Sequence, residues 1–297
     1  MKNILVPTDF STYADHALAF AKELALKHHA RLTILHSVYT PHLFDSLYLD
    51  PVLAAKLMRD VEVGAKDKLK EIRKETTEAG VEVETVTTCS PLLTAIEDVV
   101  RGSDIDLIVM GTKGASGLKE FFVGSNTERI MRLADVPVLA IPDACPAQSI
   151  KHIIVPIDYA NVTERFMSEL MVFQQTFNAK LDFIWVKTHH FMDNDDVMHA
   201  NFECYARRKF GNIYNIYMKR DVVPESAILR FIDEIDADMV IMPTTQKRGI
   251  EHLFLGSTAE NVANHSPVPV LGFPVKKGEK ILKLDSQEHE EFGEFIL

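Results

Sequence analysis

Two tandem doubly wound α/β domains, each a five-stranded parallel sheet flanked by helices, are the fold this sequence predicts. Three observations carry that expectation. Short apolar runs of strand type alternate with amphipathic helical stretches. The opening run recurs in the second half of the chain. And 297 residues divide into two domains of about 140 to 150 residues, each large enough for its own core.

In the first half, Lys2-Asn3-Ile4-Leu5-Val6 is the first strand. From Ser11 to His28, Ala14, Ala17, Leu18, Ala21 and Ala25 fall on one helical face. Residues 31 to 38 form a second strand. Asp50-Pro51 then caps a helix with the stripe Leu53, Leu57, Val61, Ala65, Leu69 and Ile72, ended by Gly80. Residues 81 to 87 alternate as a third strand, 91 to 101 form a helix, and 106 to 110 and 136 to 141 give the fourth and fifth strands. Strands near 152–157, 181–186, 213–218, 239–242 and 268–273 repeat the pattern. The expected boundaries are a first domain at 1–142, a linker at 143–150, a second domain at 151–276 and an acidic tail at 277–297, solvated or loosely docked.

The repeat is explicit. Lys151-His152-Ile153-Ile154-Val155-Pro156-Ile157-Asp158 restates the opening, with Asp158 lying 149 positions after Asp9 (158 − 9). Phe254-Leu255-Gly256-Ser257-Thr258-Ala259-Glu260 restates Phe122-Val123-Gly124-Ser125-Asn126-Thr127-Glu128 at an offset of 132 (256 − 124). Pro224 aligns with Pro91 at an offset of 133, so nearly all of the shortening precedes it. Repetition of a whole α/β unit implies duplication.

The chemistry is concentrated in Gly111-Thr112-Lys113-Gly114, nine residues, then Gly124-Ser125. Asp106-Leu107-Ile108-Val109-Met110 before it is a strand of the kind buried on both faces. Ser125-Asn126-Thr127-Glu128 after it has the spacing of a capping box and opens a helix with Ile130 and Leu133. The unpaired amides and dipole of a helix's first turn favour an anion by about 0.3–1 kcal/mol from the dipole, before any hydrogen bonds. Glycines at 111, 114 and 124 let main chain approach a phosphate without an intervening Cβ. A capped helix after a flexible turn is the plainer reading, and Glu128, folded back on the cap, would repel a phosphate.

This run resembles the ATP-binding signature of the universal stress protein family. The resemblance extends to Ile4-Leu5-Val6-Pro7-Thr8-Asp9-Phe10-Ser11, Leu35-His36 and Val136-Pro137-Val138-Leu139, and so covers residues 1 to about 142. It implies a UspA-like tandem member with an adenine nucleotide α-hydrolase-like fold, binding ATP in its first domain, with magnesium or manganese as candidate companions. Matched by position, Pro7 and Thr8 line the adenosine, Asp9 accepts from the ribose and Ser37 offers main-chain groups to adenine. Met110 and Gly111 flank the sugar, and Gly114, Gly124, Ser125, Asn126 and Thr127 surround the phosphates. Lys113 is either a cation near the γ-phosphate or simply solvated, and Asp9 is either a ribose ligand or a cap for the helix beginning near Ser11. The resemblance also implies that the halves pair through 136–141 and 268–273, and leaves a further homodimer open. In the second copy Pro243 replaces Gly111 and Gln246 replaces Gly114, which argues against a second nucleotide.

Composition narrows the rest. A net charge of −11 argues against nucleic acid as partner. Cys89, Cys145 and Cys204 have no paired spacing, so neither a disulfide framework nor a zinc site is legible. His189, His190, His199 and Cys204 match no ligand pattern and read as exposed helix residues. Tyr205, Phe210, Tyr214 and Tyr217, with Met198 and Met218, read as core and partial interface packing before a substitute pocket. With no cleavage signal and no apolar stretch long enough to span a bilayer, the expectation is a soluble cytoplasmic protein. Its function would be a stress-response or signalling role through nucleotide-dependent conformation and protein partners. No Gly-x-x-x-x-Gly-Lys-Ser/Thr loop or metal-carboxylate base accompanies the glycine run, so at most a weak ATPase is expected. A slow nucleotide hydrolase or transferase and a ligand-free scaffold are the competing classes.

Overall fold

A computed structural model describes residues 1–39, 51–112, 125–159, 162–188, 195–245, 254–276 and 278–282. The chain forms two compact units, residues 1–148 with 263–274, and residues 149–262 with the described residues from Val275 on.

In the first unit the order along the chain is β1 (Asn3–Pro7), α1 (Thr12–His28), β2 (Arg31–Ser37), α2 (Pro51–Glu78), β3 (Val83–Thr88), α3 (Leu92–Gly102), β4 (Leu107–Gly111), α4 (Ser125–Leu133) and β5 (Val138–Ile141). These strands lie in the order β3-β2-β1-β4-β5 and pair in parallel, with Leu5 level with Thr33 on one side and Ile108 on the other. The strand sequences are apolar because helices cover the sheet: Ile4, Leu5, Ile34, Ile108 and Val109 are fully buried. The α1 stripe Ala14, Ala17, Leu18, Ala21 and Ala25 is buried as its periodicity requires.

The second unit contains β6 (His152–Pro156), α5 (Glu164–Phe177), β7 (Lys180–Lys187), α6 (Asp195–Phe210), β8 (Tyr214–Arg220), α7 (Pro224–Ile235), β9 (Met239–Thr245) and most of α8 (Phe254–His265). Its parallel order is β9-β6-β7-β8. The last strand, β10 (Val270–Val275), belongs as far as Pro274 to the first unit, where Val270, Leu271 and Gly272 pair antiparallel with Ala140, Leu139 and Val138 of β5. Pro269 falls just before the paired residues, so its missing amide costs that ladder nothing.

Duplication is visible in hydrogen bonds as well as in letters. The Asp106 carboxylate accepts from the amides of Lys2 and Asn3 at the start of β1, and Asp238 does the same for Lys151 and His152 at the start of β6. Both first helices end in a left-handed residue, His29 with φ 51° and Asn178 with φ 50°, again 149 positions apart (178 − 29). Among the described residues no helix is long and apolar enough to cross a membrane.

Two expectations change. The α2 stripe is only half used: Ala65 and Leu69 are buried, but Leu53, Leu57 and Val61 are 48%, 37% and 43% exposed. The reason is length, since a helix of 28 residues runs about 42 Å while the six-residue β3 it packs against spans about 20 Å. The other change concerns the start of the tail, which is docked firmly. Glu279 accepts from Arg165 at 2.6 Å and from Thr163 Oγ1 at 3.1 Å, the Leu282 amide bonds Val162 O at 2.8 Å, and Leu282 is buried.

Burial alone would raise the Glu279 pKa, but the Lys276 amide, the Arg165 guanidinium and the Thr163 hydroxyl outweigh it and hold the carboxyl below its ordinary 4.5. A carboxylate with a depressed native pKa stabilises above its unfolded value and loses that contribution as pH falls through the native one. The protection factors of the Leu282 amide and of the Glu164 amide, which bonds Lys280 O at 3.2 Å, measured against the intrinsic exchange rate at each pH, should therefore fall as pH drops below about 4.5. In Glu279→Gln they should already be low at neutral pH, while protection in the β6 core stays unchanged.

Candidate functional site

In a doubly wound sheet the open crevice lies at the carboxyl ends of the strands, where the order reverses. Here that point is β1, which takes β2 on one side and β4 on the other. Three chain segments meet there: the turn after β1, the end of β4 and the start of α4.

The turn is tightly specified. Thr8 extends the ladder one residue past β1, its amide bonding Leu35 O at 2.8 Å, and its buried hydroxyl accepts from the Phe10 amide at 3.0 Å. Asp9 is exposed, and its Oδ1 accepts from the Ser11 amide at 3.0 Å. The helix itself is capped by Ser11, whose Oγ accepts from Ala14 N at 3.3 Å. Of the two roles open to Asp9 in the sequence, helix N-cap is thus filled by another residue. Pro7 is buried below the turn.

At the end of β4, Met110 is only 5% exposed and packs in a core with Leu5, Leu35 and Ile130, so only its main chain can face the crevice. Gly111 is a steric requirement. A Cβ there would stand 2.6 Å from the carbonyl oxygen of Tyr13 and 2.7 Å from its carbon. Thr127, in the first turn of α4, donates its hydroxyl to Gly111 O at 2.9 Å and is buried. This bond ties the helix start to the strand end, with Asn126 exposed beside it. Ser37 lies at the end of β2, its hydroxyl donating to Ser90 O at 2.7 Å. Lys113, Gly114 and Gly124 lie outside the described residues, as does the side chain of Ser125.

Sequence reasoning placed Phe10 and His36 in matching motifs but gave their side chains no role. The His36 Nδ1 is 2.8 Å from Thr8 O, and its ring lies 4.3 Å from that of Phe10. The only trace in the sequence is an aromatic residue after Asp9 and an imidazole in a strand.

The second copy diverges at the same places. Pro243 stands for Gly111 and Ala259 for Thr127, so position 259 carries no hydroxyl to make the equivalent bond. Tyr159, one residue after Asp158, is 2% exposed, stacks on Trp185 at 4.5 Å and bonds His199 Nδ1 at 2.9 Å. Burial, reinforced by the charge of Glu203, pushes its phenol well above the ordinary range. His199 is thereby engaged with a tyrosine, Cys204 is exposed, and His189 and His190 lie outside the described residues. Among the described residues no three His, Cys, Asp or Glu side chains converge as metal ligands. Phe210, a core residue, and the half-buried Tyr214 pack on Phe183, and the half-buried Tyr217 packs on Phe231, while Met218 is 38% exposed.

A duplicated parallel sheet with main chain gathered at its switch point defines a tandem Rossmann-like α/β protein. Comparison with known proteins is consistent with this and sharper. The profile of the Universal stress protein family matches residues 1–142 and 205–274. Universal stress protein Slr1230 of Synechocystis is 25% identical over 293 residues, spanning 92% of this chain and all of that one. Universal stress protein MJ0577 of Methanocaldococcus jannaschii is 28% identical over 152 residues, 47% of this chain and 94% of that one. Among solved structures, a universal stress protein from Archaeoglobus fulgidus superposes with a TM-score of 0.72 at 21% identity, covering 92% of this chain and 98% of that one. The chain belongs to the universal stress protein family, as a tandem member.

The Gly111 contact makes a paired prediction. Gly111→Ala forces a methyl into the Tyr13 backbone and should cost about 1–3 kcal/mol, as overpacking does. Gly64→Ala, in the interior of α2 with nothing within 4 Å of the new carbon, should instead stabilise by about 0.4–1 kcal/mol. Denaturant midpoints of the two variants should move in opposite directions.

Proposed function

We propose that this protein binds one ATP per chain, in the first repeat, and acts in stress response or signalling by holding the nucleotide rather than consuming it. The observation that carries the reading is the meeting of the Asp9 turn, the Cβ-free approach at Gly111 and the start of α4 at one crevice.

In this reading Pro7 and Thr8 line the adenosine, the Asp9 carboxylate accepts from the ribose hydroxyls, and main chain at Ser37 faces adenine. Met110 and Gly111 flank the sugar through backbone atoms. Gly114, Gly124, Ser125 and Asn126 surround the phosphates, with Lys113 as the nearby cation and magnesium or manganese as the companion ion. Thr127 serves differently from a phosphate donor: its proton is committed to Gly111 O, so it holds α4 at the distance the phosphates require. The second repeat, with Pro243 and Gln246 in the glycine positions, binds no nucleotide. Amides and hydroxyls of this kind bind ground-state phosphates about as well as a transition state, which gives affinity without acceleration. The protein works in the cytoplasm through partners that read its nucleotide-bound conformation.

Calorimetry should give one site per chain for ATP, and Gly114→Asp, which sets a carboxylate against the phosphates, should abolish it. Wild-type affinity in that variant would overturn the assignment. Single-turnover hydrolysis with magnesium or manganese should run well below the about 1 per second that marks the slow end of ordinary enzymes.

A further inference from the structure

We infer that Phe10, clamped between His36 and Lys68, is the residue that sets the Asp9 carboxylate for its ligand. The inference rests on the nucleotide reading and adds to it a positioning group that touches no nucleotide itself.

The starting observation is a backbone outlier. Four non-glycine residues among those described have positive φ: Phe10, His29, Asn178 and Asp236. The last three are helix C-caps, where a left-handed residue completes the last turn. Phe10, at φ 61°, caps no helix C-terminus. A bulky side chain in that region is costly and persists only where its surroundings over-determine it.

Those surroundings come from three elements. The His36 ring, on β2, lies over the Phe10 ring at 4.3 Å with a 33° tilt. The Lys68 ammonium, on α2, lies 5.0 Å from the ring centroid, within range of a cation–π contact. The Phe10 amide is held by Thr8 Oγ1 at 3.0 Å. His36 is fixed in turn, because its Nδ1 is 2.8 Å from Thr8 O. A carbonyl only accepts, so Nδ1 carries the proton and the ring cannot flip without losing the bond. Thr8 and Phe10 are therefore both pinned, and Asp9 between them has its peptide planes fixed on each side. With Oδ1 tied to the Ser11 amide, the carboxylate is held in a single turn geometry at the mouth of the crevice.

The second repeat supplies the contrast. Tyr159 and Trp185 occupy the positions of Phe10 and His36, each 149 residues later (159 − 10 and 185 − 36), and their rings still stack, at 4.5 Å. The left-handed backbone is gone, Tyr159 is buried, and the cation is a different one, Lys187 of β7, lying over Trp185 rather than over the tyrosine. The ring pair survives without the intact glycine run; the strained turn does not. Packing alone thus accounts for the stack, and the strain goes with the copy that retains its glycines.

The test separates ribose positioning from general folding. ATP and 2′,3′-dideoxy-ATP are titrated by calorimetry into wild type, Phe10→Ala, Phe10→Tyr and Asp9→Ala, and into the Phe10→Ala/Asp9→Ala double variant. Phe10→Ala should weaken ATP about tenfold, the scale of one lost strained contact, and leave dideoxy-ATP within about twofold. Phe10→Tyr should restore wild-type binding, and the double variant should be no weaker than Asp9→Ala. In the nucleotide-free protein, Ser11 amide exchange should quicken in Phe10→Ala, since its bond to Asp9 loosens. Equal weakening of both nucleotides, full additivity, or an unchanged Ser11 amide would overturn the inference. Wild type that binds neither nucleotide would instead sink the ATP reading, a failure told apart because it appears before any substitution is made.

Discussion

A missing carbon governs the architecture of the crevice. Because residue 111 has no Cβ, the first turn of α1 comes within van der Waals contact of the end of β4, with Tyr13 O where a methyl would stand. That approach brings the turn after β1 alongside the last residue of β4 and leaves the Gly111 carbonyl facing α4, where Thr127 captures it. Strand end, helix start and Asp9 turn are thus held by one close contact and a few hydrogen bonds, on a sheet whose buried aliphatic residues make the scaffold rigid. Site geometry set by rigid elements is better defined than geometry left to loops.

The duplicated copy illustrates what happens when that constraint is released. Pro243 fixes its own φ and carries a ring where Gly111 carries nothing, and Ala259 has no hydroxyl to offer. Yet everything that builds the sheet persists: the aspartate clamp on the first strand, the left-handed helix cap and the parallel pairing. The surplus space near the second switch point is filled from within, by Tyr159 among Trp185, Phe202 and His199. Sheet and crevice thus depend on different residues, the first on many buried apolar side chains and the second on a few backbone positions.

The sheet and its helices were legible because their signals are local and periodic. Ile4-Leu5-Val6 and the alanine stripe of α1 need no knowledge of partners to be read. Where length mattered across elements, the reading failed: the stripe of α2 looks uniform from Leu53 to Ile72, and only the shorter strands beneath it decide which half is covered. The docked start of the tail was illegible for a similar reason, since Glu279 acts through Arg165 and Thr163 more than a hundred positions away. Within the candidate site, the glycine run and Asp9 are read from spacing and resemblance. The direction of the Thr127 bond and the left-handed Phe10 could not be read that way, because each depends on an atom brought near by folding: Gly111 O in one case, the His36 ring in the other.

The central claim is that one repeat holds ATP and the other does not, and amide chemical-shift mapping during an ATP titration tests it most directly. Shifts should appear at Thr8, Asp9, Gly111, Thr112 and Asn126 and saturate together, while Ile157, Asp158, Thr244 and Thr258 at the equivalent points stay within the scatter of the remaining amides. Equal shifts in both sets, or none in the first, would contradict it.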